Sequence, residues 1–328
     1  MNAKIIGTGM YAPDRVLKNQ YFNESLGEDV DTWLSENVQI YERRWCGPDE
    51  STADLSELAA RAALEDSGIN AEQIDLIILA TDTPEFISPS TSSVVQLRLG
   101  AVNAGIFDLN AACAGFVTGL ETAAKFIRSD SRYKHVLVIG AYAMSKYLDQ
   151  NDKKTVTLFA DGAGAAVLQA DSSNYEGYQT GYLIGQGQYN EWMGIYGGGT
   201  KHPLTPESVK KGEHYLKFVR KFPPELNPQM WSSIIRKMCE QINVSPLDVS
   251  RFFITQININ SIFETMDILG IRHEKAHTIM HHYGYTGSAC IPMAFDDARN
   301  KGLVQHGDLV MFIGSGGGLA FAGSAFRL

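Results

Sequence analysis

Cysteine is scarce: four residues, Cys46, Cys113, Cys239 and Cys290, occur in 328, and no two of them form a CxxC pair. A disulfide framework is therefore not expected, and reduced thiols in a reducing compartment are. No apolar run approaches the roughly 18 residues that a spanning helix requires, and the start lacks a cationic segment followed by an apolar one. A cytosolic protein with no membrane partner is the expectation. Positive charge is in deficit, with 28 Lys and Arg against 37 Asp and Glu for a formal net charge of −9, and basic residues are not interleaved with aromatics in the footprint of a nucleic-acid binder. With only 11 prolines, 31 glycines and 44% apolar residues, the chain is neither disordered nor collagenous. Its length fits two domains, or one domain built from two similar halves.

What is present is an alternation of short apolar runs with helical patterns. Asp75-Leu-Ile-Ile-Leu-Ala-Thr81, Lys134-His-Val-Leu-Val-Ile-Gly140, Val156-Thr-Leu-Phe159 and Gly307-Asp-Leu-Val-Met-Phe-Ile-Gly314 read as buried strands. Between Ala112 and Arg128, the recurrence of Phe116, Leu120, Ala123, Ala124 and Ile127 predicts a helix with one apolar face. Ser51-Thr-Ala-Asp54 predicts a capped helix start, and Gly68 its end. The alternation indicates a layered α/β fold.

Sliding the chain against itself by 174 residues places Ala124-Lys125 on Ala298-Arg299, Val136 on Val310, and Ile139-Gly140 on Ile313-Gly314. Two similar halves, 1–172 and 173–328, follow as the expected division. The stretch 171–205, rich in Gly, Tyr and Ser, reads as a long irregular excursion over a surface or cleft.

Cys113 lies in Phe107-Asp-Leu-Asn-Ala-Ala-Cys-Ala-Gly-Phe116, where a strand pattern meets a helix of small residues. A thiol at a helix N-terminus is expected to be acidified by the macrodipole, and the first-turn amides are placed to donate to an oxyanion. Local context leaves two readings: this nucleophile, or one more small buried hydrophobe. Cys46, Cys239 and Cys290 lack that setting and read as packing residues. No cysteine stands at metal-ligand spacing from a histidine. Gly314-Ser-Gly-Gly-Gly-Leu-Ala-Phe-Ala-Gly-Ser324 lacks the features of a phosphate loop. It is either plain turn chemistry or a backbone that approaches a crowded site to present an N–H.

In order and spacing, Lys4-Ile-Ile-Gly-Thr-Gly-Met-Tyr-Ala-Pro13, Asn110-Ala-Ala-Cys-Ala-Gly-Phe116, Phe159-Ala-Asp-Gly-Ala-Gly-Ala-Ala-Val-Leu168 and Gly316-Gly-Gly318 with Gly323-Ser324 resemble the landmarks of the β-ketoacyl-ACP synthase III family. The resemblance spans essentially the whole chain. It implies a thiolase fold of five αβαβα layers, a homodimer, no permanently bound cofactor or metal, and a role in fatty-acid or polyketide-type metabolism. It further implies that an acyl group from CoA or acyl carrier protein is loaded onto Cys113, with the Cys113 and Gly317 amides as the oxyanion hole.

The family's decarboxylation pair is a histidine in a His-Gln-Ala-Asn segment and an asparagine in a Gly-Asn-Thr segment. Here the corresponding stretches read Thr255-Gln-Ile-Asn258 and Gly284-Tyr-Thr286. The resemblance thus puts Thr255 at the histidine, Tyr285 at the asparagine, and Asn258 among the substrate contacts. Each hydroxyl can donate one hydrogen bond, but neither is a good base near neutrality. His281 and His282 are the nearby alternatives.

The remaining contacts carry over with changes. Trp33 matches a tryptophan that stacks on adenine, with a buried tryptophan as the other reading. The arginine expected after it is Asn37, and the Thr-Gly-Ile-x-Glu-Arg segment reads Val38-Gln-Ile-Tyr-Glu-Arg43. Lys153 matches an adenine-stacking arginine, Lys217 a phosphate-binding lysine, and Ser88 the place where a partner-subunit phenylalanine gates the acyl pocket; Asn260 replaces a further arginine. Lys210, Lys211, Lys217, Arg220 and Lys221 form a basic cluster that is either a docking patch for an acidic carrier or a solvated face.

The expectation is an acyltransferase with a diverged second half-reaction. The alternatives are ordinary decarboxylative condensation with malonyl-ACP, thioester hydrolysis, and a catalytically quiet partner of an active homologue.

Overall fold

The computed structural model describes residues 1–172 and 175–328. Five strands, β1 (Asn2–Tyr11), β2 (Leu76–Ala80), β3 (Gly105–Leu109), β4 (His135–Ala143) and β5 (Asp161–Asp171), form one mixed sheet in the order β1-β5-β4-β2-β3. β2 runs parallel to β3 and β4, whereas β5 is antiparallel to β1 and β4. Side chains alternate between the faces of a strand. Ile77, Leu79, Leu137, Ile139 and Val167 therefore share one face with Ala53, Ala59, Ala60 and Ala63 of helix α1 (Thr52–Ser67). Leu76, Ile78, Val136, Val138 and Leu168 enter a second apolar cluster on the other face. With both faces covered, the strands read as continuous apolar runs rather than alternating ones.

α1 begins as its sequence signals, with Asp54 Oδ2 accepting from the Ser51 N–H at 2.7 Å and from its hydroxyl at 2.6 Å, and ends at Gly68 with φ 67°. The helix approaches β1 so closely that a Cβ at Gly9 would lie 2.4 Å from the Ala63 nitrogen.

The second sheet repeats this plan. β6 (Gly177–Gly185), β7 (Arg251–Ile254), β8 (Leu309–Gly316) and β9 (Ala320–Arg327) pair in the order β7-β8-β9-β6, with β7 parallel to β8 and the other pairs antiparallel. The counterpart of β3 is reduced to one parallel bridge, Phe252 with Ala276. An offset of 174 residues carries His135, which opens β4, onto Leu309, which opens β8.

Helices α2 (Gly115–Ser129) and α5 (Cys290–Asn300) lie between the sheets, while α3 (Leu226–Gln241) and α4 (Ile259–Leu269) cover the outer side of the second. With α1 outside the first, the layers are the expected αβαβα. The expected division after residue 172 falls between β5 and β6, and residue 173 lies outside the described residues. Among the described residues no helix is long and apolar enough to cross a membrane.

Two readings are corrected. Val156–Phe159 is not a strand: Asp152 caps a short helix, Lys153–Val156, by accepting from the Lys154 N–H, and the chain then pairs only through a parallel bridge of Phe159 with Tyr285. This short run, three apolar residues and Thr157, had no neighbouring strand to extend along. The excursion 171–205 contains β6, whose partner β9 lies more than a hundred residues away. The glycine-rich segment from Gly314 is the end of β8, a tight turn and the start of β9.

Candidate active site

The chain leaves β3 at Leu109, and the Asn110 side chain accepts from the Ala112 N–H at 3.0 Å. Ala112 takes φ 45°, a left-handed conformation that an alanine rarely adopts and that sets the turn into α2. Residues Ala112–Ala114 form one 3-10 turn ahead of α2, with Cys113 buried within it. β8 crosses directly above. A Cβ at Gly316 would lie 2.3 Å from the Ala111 carbonyl oxygen and 2.7 Å from the Cys113 nitrogen. Only glycine allows this contact between two backbones, which explains Gly316 physically.

A cavity of about 640 Å³ opens here, and Cys113, Thr255, Tyr285 and Gly317 all contribute to its wall, as do Trp33 and Asn258. Trp33 is half exposed rather than buried, and Asn258 caps α4 by accepting from the Asn260 N–H at 3.0 Å.

Three expected contacts lie elsewhere. Lys153 is an exposed residue paired with Glu28 at 2.8 Å, and its neighbour Lys154 lines the cavity instead. A side chain one position along a short helix points in a different direction, which sequence matching does not resolve. Lys217 is exposed and pairs through its backbone with Gly194, while Phe218 to Phe222, just beyond it, form the cavity wall. Ser88 is exposed on a separate hollow of about 430 Å³ shared with Phe86, Ile87 and Ile106. Of the basic cluster, Arg220 and Lys221 reach the cavity; Arg220 also lies over Trp192, which stacks on Phe222 at 5.5 Å.

Tyr285 is buried, held by its N–H to the Leu158 carbonyl and by its carbonyl to the Ala160 N–H, both at 2.9 Å. Its hydroxyl donates to the Cys113 sulfur. Burial pushes the Cys113 thiol well above its ordinary range, the Asp82 carboxylate pushes it further, and the Tyr285 hydrogen bond opposes both. The helix-end acidification expected from sequence is therefore outweighed by desolvation. Burial also raises Tyr285 well above the ordinary phenol.

The Thr255 hydroxyl accepts from the Ser315 N–H at 2.9 Å and lies 3.4 Å from the Ser315 carbonyl. Neither His281 nor His282 lines the cavity; His282 stands 3.6 Å from Glu42, exposed. No histidine is among the described residues of the cavity wall. Arg43 is fully buried, with hydrogen bonds to Leu17, Asn19 and Thr157, the last just ahead of the Leu158–Ala160 stretch that pairs with Tyr285, and does not contact the cavity.

One group near the thiol escaped the sequence reading. Asp82 stands just past β2, with Oδ1 enclosed and without a hydrogen-bond partner, and burial pushes its carboxyl up to about 6. The available signal was a charged residue two positions beyond a buried apolar run. Among the described residues no group of three or more His, Cys, Asp or Glu is placed to hold a metal ion.

Known proteins match along the whole chain. The profile of 3-oxoacyl-[acyl-carrier-protein (ACP)] synthase III matches residues 107–183, and that of its C-terminal part residues 239–328. The beta-ketoacyl-[acyl-carrier-protein] synthase III of Caldanaerobacter subterraneus is 34% identical over 99% of this chain and 97% of its own. The crystal structure of 3-oxoacyl-[acyl-carrier-protein] synthase III from Aquifex aeolicus superposes with a TM-score of 0.88 at 33% identity, covering 99% of this chain and 100% of that one. The priming beta-ketosynthase of the R1128 polyketide pathway superposes with a TM-score of 0.88 at 28% identity, over 100% and 96%. The thiolase-like architecture is thus that of these condensing enzymes, and the chain belongs to the β-ketoacyl-ACP synthase III family of acyltransferases.

Proposed function

We propose that Cys113 accepts an acyl group from acyl-CoA or acyl-ACP and passes it to an acceptor in a second half-reaction that has diverged from the family's malonyl chemistry. The observation that carries this reading is the convergence of Cys113, Tyr285, Thr255 and Gly317 on one cavity, with the Tyr285 hydroxyl bonded to the thiol.

Attack of the sulfur on the acyl thioester generates an oxyanion, which the N–H groups of Cys113 and Gly317 would stabilise. Cys113 lies within the turn leading into α2, where early amides lack intrahelical partners. Trp33, Lys154, Arg220 and Lys221, at the wall of the same cavity, supply an aromatic face and three cations suited to a nucleotide and its phosphates or to a phosphopantetheine arm.

The proposed divergence rests on Thr255 and Tyr285 standing where the family has histidine and asparagine. Removing one preorganised donor typically lowers a rate by about 10²–10³. Here the Thr255 O–H is directed at the Ser315 carbonyl, 3.4 Å away, and the Tyr285 O–H at Cys113, so neither is free to hold a malonyl thioester oxygen. A carbon, oxygen or nitrogen acceptor fits this arrangement better than malonyl decarboxylation. The names of the relatives favour the second reading, decarboxylative chain initiation with the two hydroxyls as substitutes.

The two halves, 1–172 and 173–328, are taken as supplying the nucleophile and the Thr/Tyr pair respectively. A homodimer is part of the proposal: β3 is an open edge strand beside the exposed Phe86, Ile87 and Ile106, a surface that a second copy would cover.

Intact-protein mass spectrometry with a panel of acyl-CoAs and acyl-ACPs, followed by malonyl-ACP, tests the reading. A stable adduct that Cys113→Ala abolishes and malonyl-ACP does not discharge supports it. Discharge with release of carbon dioxide and a 3-oxoacyl product supports the second reading, and no adduct from any donor leaves a quiet partner subunit.

A further inference from the structure

Ala80 ends β2 opposite Leu109 of β3 and Gly140 of β4, and all three strands run parallel. Asp82 stands two residues beyond Ala80, Tyr142 two beyond Gly140, and Cys113 four beyond Leu109. The carboxyl, phenol and thiol therefore gather at the C-terminal edge of adjacent parallel strands, where open α/β sheets present their ligand-facing groups. The Asp82 carboxylate acts electrostatically on Cys113, on Tyr142 and on Tyr147. Tyr285 and Cys290 complete the ionisable groups around the sulfur.

Enclosed carboxylate oxygens normally have hydrogen-bond partners, whereas Asp82 Oδ1 has none. Burial raises both tyrosines well above the ordinary phenol and Cys290 to about 12. Of the ionisable groups described around the thiol, Asp82, at about 6, is the one that changes charge near neutrality. The buried thiol needs a base before it can attack, and the cavity wall offers no histidine among its described residues.

We propose that Asp82 is the proton acceptor for Cys113, receiving the thiol proton across one hydrogen-bonded water as the sulfur attacks the acyl donor. The inference rests on the reading of Cys113 as the nucleophile. In the acylation step the bond from Cys113 sulfur to the acyl carbon forms and the donor's carbon–sulfur bond breaks. The electron pair leaves with the donor thiolate, which takes the proton held by Asp82 and departs as a thiol.

Iodoacetamide alkylation of Cys113, followed by intact mass between pH 5 and 9 with Cys113→Ala as background, requires no acyl donor and so tests Asp82 separately from the nucleophile assignment. Single-turnover acylation with acyl-CoA tests the two together. The expected result is an alkylation limb rising through about pH 6 that Asp82→Asn removes and Asp82→Glu restores at a shifted pH. Acylation should slow by about 100-fold in Asp82→Asn, the usual scale of general base catalysis. Alkylation of Asp82→Asn at or above the parent rate at pH 7 would overturn the proposal, because a carboxylate that only repels the thiolate gives that outcome. Where Asp82→Asn fails to fold, the position of the limb in Asp82→Glu decides: a shift supports proton transfer, an unchanged limb refutes it. Loss of the limb without an adduct from any donor would sink the nucleophile reading and leave the Asp82–Cys113 proton coupling standing.

Discussion

The Thr255 hydroxyl is clasped by the backbone of Ser315, accepting from its N–H at 2.9 Å with the carbonyl 3.4 Å away. Thr255 directly follows β7 and Ser315 precedes the glycine pair at the end of β8 beside Cys113, so this side chain fixes the strand that would carry the second oxyanion donor.

Thr255→Val removes the acceptor and leaves the Ser315 N–H buried and unpaired, which costs about 1–3 kcal/mol. Thermal unfolding of Thr255→Val should therefore show a clear loss of stability, with Thr255→Ser close to the parent. Unchanged stability in Thr255→Val would mean that the hydroxyl is not a brace and acts on substrate instead.

The strands around the site were legible because β2, β4 and β8 are buried on both faces and leave unbroken apolar runs. β6 and β9 were not: glycines open, interrupt and close β6, and Ala, Gly and Ser fill most of β9, so neither leaves an unbroken apolar run. Cys113 was legible from the strand-to-helix junction, yet its ionisation was not. Helix-end acidification can be anticipated locally, whereas the burial that outweighs it, the Asp82 charge that adds to it and the Tyr285 hydrogen bond that opposes it come from segments distant in sequence. Lys153 and Lys217 show the same limit, since each is adjacent in sequence to a residue lining the cavity.

Tyr285→Phe removes the one described side-chain hydrogen bond that favours the Cys113 thiolate. A hydrogen bond of about 1 kcal/mol corresponds to roughly fivefold in an equilibrium. The thiol should then ionise at higher pH, and iodoacetamide should alkylate it about fivefold more slowly at pH 7.5. The phenyl ring still fills the space against Phe159, 5.3 Å away between ring centroids, so unfolding temperature should change little. Faster alkylation would show that the hydroxyl shields the sulfur rather than stabilising its charge.

The glycines over the thiol are not equivalent. At Gly316 a Cβ would meet the Ala111 oxygen at 2.3 Å and the Cys113 nitrogen at 2.7 Å, both backbone atoms, whereas at Gly317 the nearest atom is the Met193 oxygen at 3.5 Å. Gly316→Ala should lose about 1–3 kcal/mol to overpacking and lose acylation as the two backbones separate. Gly317→Ala should fold like the parent. Circular dichroism melts paired with adduct formation compare them directly, and equal behaviour of the two variants would contradict the geometry.

Asp82 also ties stability to pH. Its folded-state carboxyl, at about 6, lies above the ordinary value near 3.9, so the folded protein binds its proton more tightly than the unfolded chain does. The contribution is fully present below about pH 4 and is lost as pH rises through about 6, because the charged form is the one burial disfavours. At pH 7.5 the loss reaches up to about 3 kcal/mol, at 1.36 kcal/mol for each pH unit between the two values. Asp82→Asn keeps the shape and removes the charge. It should therefore unfold at a higher temperature than the parent at pH 7.5 and at nearly the same temperature at pH 4. The opposite ordering would mean that the ionised carboxylate is stabilised in the folded state, and the same Asp82→Asn melts would then deny this residue the poise that a proton acceptor beside Cys113 needs.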